Sequence, residues 1–388
     1  MTKTVSAFSR NKNPAEAGKE FAAQIACQIE KPDAIIVFLG GDYDLAPLLG
    51  LLKEQFPNTQ IVGCSSAGEV GSRHTGKNAA SALAIHSTDM LFSAGLVTGI
   101  AKGPEQAALR LLTGFRGFHE NQYRYRTALV LCGATNGLAE EMITALHLET
   151  GGKYRFFGGG AGSGMEEDST EAKVFMDEEV KSDAAVALEI LSTRPIGIGV
   201  RHGWTAATNP LRVTSSHGIV VESLNAIATA EIFKRHAMTT GQELNPEAPQ
   251  AFFVHNAVGM RLDSGYKLRL PVALLDNDAV AFSAEIPNGA TLSIMCTTDQ
   301  SSTNAARIAA QEAINQLSSY KASGALLFDS AATGWRMGEV FHETVEAVQE
   351  TLGEVPLCGC NVMGQIATLK DQFSGYHNCS AVVCVFPE

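Results

Sequence analysis

An internal repeat is the feature of this sequence that most constrains its fold. Similar segments begin at Ala34, Thr127 and Gly324, and each consists of an apolar run, a polar turn, an amphipathic stretch, a second apolar run and a glycine-rich turn. The amphipathic stretches carry apolar residues at helical spacing, as over residues 45–56. The apolar runs are continuous, which is typical of strands covered on both faces. The repeat therefore predicts an α/β fold with mixed β-sheets and flanking helices, built from repeated strand–helix–strand units.

The length of 388 residues and one polar stretch together predict two domains. Residues 238–250 are rich in Thr, Gly, Gln, Pro and Glu, and they are the best linker candidate. We place the boundary so that residues 1–222 form the first domain and residues 223–388 form the second. Each half is then expected to carry its own mixed sheet. Further helices are expected near residues 14–29, 104–115, 226–236 and 298–317.

Charge and apolar content exclude several classes of protein. The chain has 29 basic and 41 acidic residues and a formal net charge of -12, which disfavours binding to nucleic acid or to an anionic membrane. No segment reaches the roughly 20 apolar residues that span a bilayer, and residues 1–20 lack the apolar stretch of a secretory signal. The eight cysteines are scattered through apolar runs, as expected of reduced structural thiols. The sequence thus predicts a cytoplasmic protein.

The ends of the first and third repeats are closely similar. They read Gly63-Cys64-x-x-x-Gly68-Glu69 and Gly359-Cys360-x-x-x-Gly364-Gln365. A cysteine on a glycine-rich turn can be a nucleophile, a backbone cradle for a ligand, or only a tight turn. Cys64 lacks the Gly-x-Ser-x-Gly frame of a hydrolase, and the residues after it predict no helix that would lower the pKa of its thiol. A thiol hydrolase is therefore kept only as an alternative, and the chain is not expected to be an enzyme.

If the glycine-rich turns form a backbone cradle for a ligand, they are expected to lie together around one cavity, because α/β folds usually bind ligands where their strands end. The predicted pocket consists of Gly63, Cys64, Ser65, Gly68, Glu69, Gly359, Cys360, Asn361, Gly364 and Gln365. Glu69, Asn361 and Gln365 would supply the oriented polar groups that such a pocket needs. The alternative is that these three side chains simply cap their own turns.

A second candidate site lies at the end of the apolar run "IGIGV". There Arg201, His202 and Trp204 follow one another closely. An imidazole, a guanidinium and a large aromatic ring at one strand end suit haem, as axial ligand, propionate partner and packing wall. His202 is the preferred iron ligand, and His255 and His377 are its rivals.

Four motifs in this order resemble the FIST family, with its paired FIST N and FIST C domains of bacterial signal transduction. They are "IVGCSSAGEV", "RFFGGGAGSG", "VRHGW" with "RVTSSHGIVVESLN", and "VPLCGCNVMGQIA" with "FSGYHNCSAVV". The resemblance extends over residues 30–222 and 223–384. It implies a sensory protein that binds a ligand and does not catalyse a reaction.

The resemblance also implies a cofactor and a partner. Members of this form are similar to the nitric-oxide-sensing haem proteins of the NosP type, which regulate a separate histidine kinase or cyclic-di-GMP enzyme. The expected cofactor is then haem b, held by His202. Other members of the family are thought to bind small metabolites such as amino acids, so a sensor without haem is the main alternative.

Overall fold

The computed structural model describes residues 1–41, 43–133, 137–162, 171–263, 265–369 and 375–388. Over these residues the chain repeats one pattern three times: strand, helix, strand, helix, strand, a short hairpin and a closing strand. The first unit contains β1 (Thr2–Ser9), α1 (Pro14–Ala26), β2 (Ala34–Gly40), α2 (Leu45–Gln55), β3 (Gln60–Ser66), β4 (Glu69–Gly71), β5 (His74–Gly76) and β6 (Ala80–Ser87). The second contains β7 (Met90–Thr98), α3 (Pro104–Leu112), β8 (Tyr125–Cys132), α4 (Leu138–Glu149), β9 (Arg155–Gly160), β10 (Val174–Met176), β11 (Glu179–Lys181) and β12 (Ala184–Ser192).

The third unit is interrupted by a long insertion after its first strand, β13 (Gly197–Arg201). The insertion contains β14 (Thr205–Ala206), β15 (Leu211–His217), β16 (Val220–Leu224), β17 (Ile227–Ala228), α5 (Thr229–Thr240), α6 (Gln250–Phe253), β18 (Val258–Leu262), β19 (Gly265–Arg269), β20 (Pro271–Leu274), β21 (Val280–Phe282) and β22 (Thr291–Cys296). The unit then resumes with α7 (Asp299–Asn315), β23 (Ala322–Ser330), α8 (Ala331–Met337), α9 (Phe341–Leu352), β24 (Leu357–Val362), β25 (Gln365–Ala367), β26 (Tyr376–His377) and β27 (Ala381–Pro387).

The three units build sheets with the same strand order. The orders are β1-β6-β2-β3, β7-β12-β8-β9 and β13-β27-β23-β24. In each sheet the last pair is parallel, as a strand–helix–strand crossover requires, and the closing strand runs antiparallel. The α/β fold with mixed sheets and repeated strand–helix–strand units is therefore confirmed.

The short hairpin of each unit extends the sheet of another unit. The β4-β5 hairpin pairs with β24, the β10-β11 hairpin pairs with β3, and the β25-β26 hairpin pairs with β9. The exchange is cyclic, so the three units are connected as in a threefold arrangement. The expectation that each half carries its own sheet holds only for the sheet of the first unit, which lies wholly before residue 222. The other two sheets join strands from both sides of that residue. Each exchanged hairpin covers a sheet edge that would otherwise lie open.

The three sheets enclose one shared apolar core, and each has its own helices on the outer face. The core includes Ile36, Phe38, Val62, Leu129, Leu131, Phe157, Leu326, Phe328 and Cys360. In β2, Ile36 and Phe38 belong to this core, while Ile35, Val37 and Leu39 pack with the layer of α1 and α2. Both faces of the strand are thus covered, which explains why its apolar run is continuous.

Glycine at the middle of the third strand of each unit lets two parallel strands approach. A Cβ atom at Gly63, Gly158 or Gly359 would lie 1.9, 2.1 or 2.0 Å from a carbonyl oxygen of the neighbouring strand. These distances are far below van der Waals contact, so the backbone would have to move. The repeated glycines are therefore required by packing between strands.

Replacing Gly359 by Ala is expected to lower the free energy of unfolding by about 1–3 kcal/mol, the usual cost of overpacking a core. The Cβ atom would meet the backbone of Leu327, which cannot rotate away as a side chain would. Gly50 provides the control, since it lies within α2 and its nearest neighbour is a Glu178 carboxylate oxygen at 3.5 Å. Gly50→Ala should stabilise the protein by up to about 1 kcal/mol. Urea unfolding measures both, and equal effects would contradict this account.

The insertion forms a sheet of its own with the order β19-β18-β22-β15-β16-β21-β20. Helices α5 and α6 cover it through Phe233, Phe252 and Phe253. A separate apolar cluster, which includes Trp204, Ala332 and Cys379, joins the insertion to the third unit. Over the described residues, no helix is long and apolar enough to cross a membrane.

Candidate functional site

A cavity of about 700 Å³ lies between the insertion and the strand ends of the second and third units. On the side of the units it is lined by Gly133 after β8, Ala161 and Gly162 after β9, Ser330 at the end of β23, and Val362, Met363 and Gly364 at the end of β24. These positions follow the carboxyl ends of parallel strands. Such a crevice is where open α/β sheets usually bind ligands.

The insertion and α8 supply most of the apolar wall. The insertion contributes Phe253, Val254, Leu270, Pro271, Val272 and Phe282, and α8 contributes Ala331, Ala332 and Trp335. Val272 is 38% exposed, so it lies at the opening of the cavity. The cavity therefore exists only because the insertion covers the strand ends.

The polar groups of the lining are few. They include Asp183, Gln250, Ser283, Ser330, Tyr376 and Asn378, with Glu171 exposed. Among the described lining residues there are two carboxylates and no Lys, Arg or His. The described part of the lining therefore presents negative charge to a ligand.

A buried ionic cluster supports the polar side of the cavity. The guanidinium of Arg269, 2% exposed, binds Glu140 at 2.6 Å, and the ammonium of Lys267 binds the same carboxylate at 2.5 Å. Arg269 also donates to Asn378 Oδ1 at 3.5 Å, and the hydroxyl of Tyr376 donates to a backbone carbonyl at 3.2 Å. Burial, and then the neighbouring guanidinium, lower the pKa of Lys267. The cluster joins α4, β19 and β26 and so fixes the insertion against two units.

Sequence reasoning missed most of this lining. Tyr376, Asn378 and Cys379 lie in the "GYHNCS" motif, of which only His377 is a predicted site residue. The mixed polar and apolar residues around that histidine were the available signal. Trp335 and Val272 carry no local signal, because their role depends on where the insertion lies.

The two glycine-rich turns that were predicted to converge do lie together. Glu69 pairs with Cys360 across β4 and β24, and the backbone N–H of Asn361 donates to the carbonyl of Gly68 at 2.8 Å. Of the predicted pocket residues, Gly364 lines the cavity. The others are buried in the protein behind it: Gly63, Cys64, Ser65, Gly68, Glu69, Gly359, Cys360, Asn361 and Gln365.

Glu69 and Gln365 have equivalent roles in the first and third units. The Glu69 carboxylate accepts hydrogen bonds from the hydroxyl of Ser66 at 2.7 Å and from the N–H of Ala79 at 2.9 Å. The Gln365 amide accepts one from the N–H of Ser380 at 3.2 Å. Burial raises the pKa of Glu69 to about 8. Both side chains thus accept a hydrogen bond from the backbone N–H group that lies just before the closing strand of their unit.

Cys64 lies in the shared core and its side chain is fully buried. It is hydrogen-bonded to the thiol of Cys360, and burial raises the pKa of Cys360 well above the usual range. A nucleophile needs access to its substrate and a thiolate form. The position of Cys64 offers no such access.

His202 and its neighbours do not line the cavity. Its Nδ1 accepts a hydrogen bond from the N–H of Trp204 at 3.3 Å, and its Nε2 donates to the carbonyl of Tyr266 at 3.2 Å. Arg201 forms an ion pair with Glu312 on α7, and the ring of Trp204 is buried. Both imidazole nitrogens of His202 are therefore engaged, and burial lowers its pKa.

The described residues do not fit haem in this cavity. Of the rival histidines, His255 is exposed beside the lining, and His377 donates from Nε2 to the carbonyl of Ala367 at 3.0 Å. Burial raises the pKa of Cys379 to about 12, which keeps this lining residue a thiol. The described lining also offers no cation for the two propionates. Nowhere in the described parts of the chain do three His, Cys, Asp or Glu side chains converge for a metal ion.

Family profiles match most of the chain. Residues 33–227 match the FIST N domain and residues 229–368 match the FIST C domain. No curated protein sequence matches the chain.

Two solved structures are similar to the chain at low levels. Cyanuric acid hydrolase from A. caulinodans is 9% identical, with a TM-score of 0.36, over 100% of this chain and 99% of that one. T. maritima PurL complexed with FGAR is 11% identical, with a TM-score of 0.24, over 99% of this chain and 72% of that one. Similarities this low carry no argument about fold or function.

Proposed function

Because the chain belongs to the FIST family, whose domains are sensory domains of signal transduction, we propose that it is a sensor that binds a small molecule and catalyses no reaction. The observation that carries this proposal is the cavity of about 700 Å³ between the insertion and the strand ends. Its volume lies within the usual range for small-molecule sites, and its walls are mostly apolar with a few polar groups.

The chemistry of the lining selects the class of ligand. The ring of Trp335 is partly exposed in the cavity wall, with the buried rings of Phe253 and Phe282 behind the surface, and an aromatic face packs well against flat apolar molecules. The carboxylates of Asp183 and Glu171 favour a cation and disfavour an anion. The proposed ligand is thus a small aromatic or apolar molecule that is neutral or carries an amine. An amino acid fits less well, because its carboxylate meets no cation among the described lining residues.

The position of the cavity supports a sensory role for the binding event. A ligand there contacts the insertion, α8 and the strand ends of two units at once. If the insertion can lie at two distances from the units, the ligand favours the arrangement in which it contacts both. The output would pass to a separate protein, such as a histidine kinase or a cyclic-di-GMP enzyme.

Haem b and nitric oxide are not part of this proposal. Haem needs an iron ligand and cations for its propionates. The preferred ligand, His202, has both nitrogens engaged outside the cavity. A sensor without haem accounts better for the described residues.

A matched ligand series tests the proposal. Tryptamine, indole and indole-3-propionate share one ring system and differ in charge, and their effect on Tm is measured by differential scanning fluorimetry. At tenfold excess over Kd, a ligand should stabilise the native state by roughly 1.4 kcal/mol, or about 2 °C for a chain of 388 residues. We expect a shift with tryptamine or indole and none with indole-3-propionate. The same comparison with phenethylamine and 3-phenylpropionate extends the test to a smaller ring.

Val272→Trp should abolish the shift, because the larger ring fills the opening of the cavity. The matched control is Val340→Trp, since Val340 is 37% exposed and lies outside the cavity. A shift with the carboxylates alone would contradict the proposed ligand class. Saturable uptake of one haemin per chain, with a Soret band that Val272→Trp removes, would overturn the haem-free version.

A further inference from the structure

A second concavity, of about 940 Å³, opens between α3, α4 and the insertion. Its apolar lining residues, which we call its apolar centre, are Leu109, Ala145, Leu148 and Ile219. Leu109 is 41% exposed and Leu148 is 61% exposed, although leucines on a helix normally face the core. We call this concavity the α3–α4 groove.

The charged residues that line the α3–α4 groove, which we call its rim, are acidic among the described residues. The groove is lined by the carboxylates of Glu105, Glu140, Glu141, Glu149 and Glu285. Glu140 belongs to the buried ionic cluster with Lys267 and Arg269, while the other four are exposed. The lining contains no Lys or Arg among its described residues. An apolar centre with a rim of one charge is the complement of an amphipathic segment of the opposite charge.

We propose that the α3–α4 groove binds an amphipathic helix with basic flanks from a separate protein. Helices that dock in grooves place apolar residues at i, i+3, i+4 and i+7 into the apolar centre. Leu109 and Leu148 would contact that apolar stripe, and Lys or Arg on either side would meet the glutamates. The charge pairs would add orientation and a faster association rate.

Charge argues against the other occupants of this surface. A second copy of the chain carries the same net charge of -12, so two acidic grooves would repel each other. A nucleic acid or an anionic membrane would be repelled in the same way. A basic helix is the occupant for which both the apolar centre and the rim are favourable.

The groove and the ligand cavity share a wall, and this point rests on the proposed function. Gly137 and Ile219 line both, and a Cβ atom at Gly137 would lie 3.2 Å from the Cγ2 atom of Ile219. Gly137 immediately precedes α4, and Ile219 belongs to the insertion. A ligand that moves the insertion therefore changes the width of the groove. Linkage requires that helix binding then changes ligand affinity by the same factor.

The test uses a fluorescein-labelled 18-residue Leu/Lys amphipathic peptide and the full chain, with anisotropy as the readout. Glu105→Gln/Glu141→Gln/Glu149→Gln should weaken binding about tenfold, as should Leu109→Ser/Leu148→Ser. The matched control is Glu343→Gln/Glu346→Gln/Glu350→Gln, which removes three exposed carboxylates from α9 and should change Kd less than twofold. A Leu/Glu peptide with the same apolar pattern should not bind.

Two results would overturn the docking site. One is equal weakening by the α3–α4 and α9 variants, which would mean non-specific attraction to an acidic protein. The other is unchanged binding in Leu109→Ser/Leu148→Ser, which would mean that the apolar centre is not used. Both leucines are exposed, so this variant should fold, and circular dichroism checks it.

The coupling between ligand binding in the cavity and peptide binding in the α3–α4 groove is measured separately. A failure of this coupling can then be distinguished from a failure of the proposed function. Saturating tryptamine should change the peptide Kd at least threefold in the wild type and have no effect in Val272→Trp. Peptide binding without a Tm shift from either tryptamine or indole would retain the docking site and reject the proposed ligand class. If tryptamine and the peptide both bind but tryptamine leaves the Kd of the peptide unchanged, the shared wall does not couple the two sites.

Discussion

At pH 9, the Glu69→Gln variant is expected to be more stable than the wild type by roughly 3–5 kcal/mol. Burial raises the pKa of Glu69 from 4.5 to about 8. Between these values the native state keeps a proton that the unfolded state releases. The unfolded state then binds fewer protons, so the free energy of unfolding falls as pH rises through this window. Gln cannot titrate, so this contribution to the fall is absent from the variant.

The third unit shows that Gln is accommodated at this position. Gln365 is fully buried, accepts from the N–H of Ser380 and donates to the carbonyl of Val362 at 3.4 Å. In Glu69→Gln, the amide oxygen can accept from Ala79 and the amide NH₂ can donate to the hydroxyl of Ser66. The two proteins should therefore differ by less than about 1 kcal/mol near pH 5, where Glu69 is protonated in the native state.

Urea unfolding from pH 4.5 to 9 measures this difference. Asp329, whose pKa burial raises to about 7, should leave part of the pH dependence in Glu69→Gln. The Glu69→Gln/Asp329→Asn variant should be nearly independent of pH between 7 and 8, above the range in which His202 and His377, whose pKa values burial lowers, add stability as pH rises. The control is Glu354→Gln, at a side chain 97% exposed, which should follow the wild-type curve. A wild-type stability that does not fall relative to that of Glu69→Gln between pH 5 and 8 would show that Glu69 is ionised throughout.

Local sequence patterns predicted the elements of this fold because their signals are themselves local. The alanine-rich stretch near 298–317 predicted a helix, and α7 spans Asp299–Asn315. Continuous apolar runs predicted strands covered on both faces, and β2 is buried at all of its positions. Three such units in one chain were enough to predict the α/β class.

The exchange of hairpins between units could not be predicted in the same way. Strands β4, β10 and β25 have three residues each, too few for a periodic signal. Their partners lie in other units, far away in sequence. The direction of each hairpin is decided by which sheet edge it can cover, and this is a property of the assembled units.

Sequence spacing brought the glycine-rich turns together but did not place the cavity, for a related reason. The glycine-rich turns do lie together, but their glycines are needed for close packing between strands. The side chains of Glu69 and Gln365 form hydrogen bonds with the backbone of their own units. Sequence spacing places such turns at strand ends, where ligands commonly bind. It does not show whether the space outside them is filled. Here the insertion, which lies between β13 and α7 in the chain, does not fill the space next to Gly364. It covers that space with its own aromatic residues, which form part of the cavity wall.

The buried ionic cluster behind the cavity should be essential for stability. Glu140→Ala is expected to lower the free energy of unfolding by about 3–5 kcal/mol, the usual effect of removing one partner of a buried ion pair. The guanidinium of Arg269 and the ammonium of Lys267 would then lie close together without the carboxylate that both bind. Glu231 on α5 is the control, because its ion pair with Arg235 is exposed. Glu231→Ala should cost less than about 0.5 kcal/mol.

A double variant separates the loss of the ion pair from a general loss of packing. Glu140→Leu/Arg269→Met removes one charge of each sign, so it should be more stable than Glu140→Ala by at least about 1 kcal/mol. The same urea titration at pH 7 measures all of these variants. If Glu140→Ala costs no more than Glu231→Ala, the cluster is solvated and does not fix the insertion. If it costs the expected amount, the wall that separates the cavity from the α3–α4 groove depends on this one carboxylate, and ligand binding should weaken in Glu140→Ala together with stability.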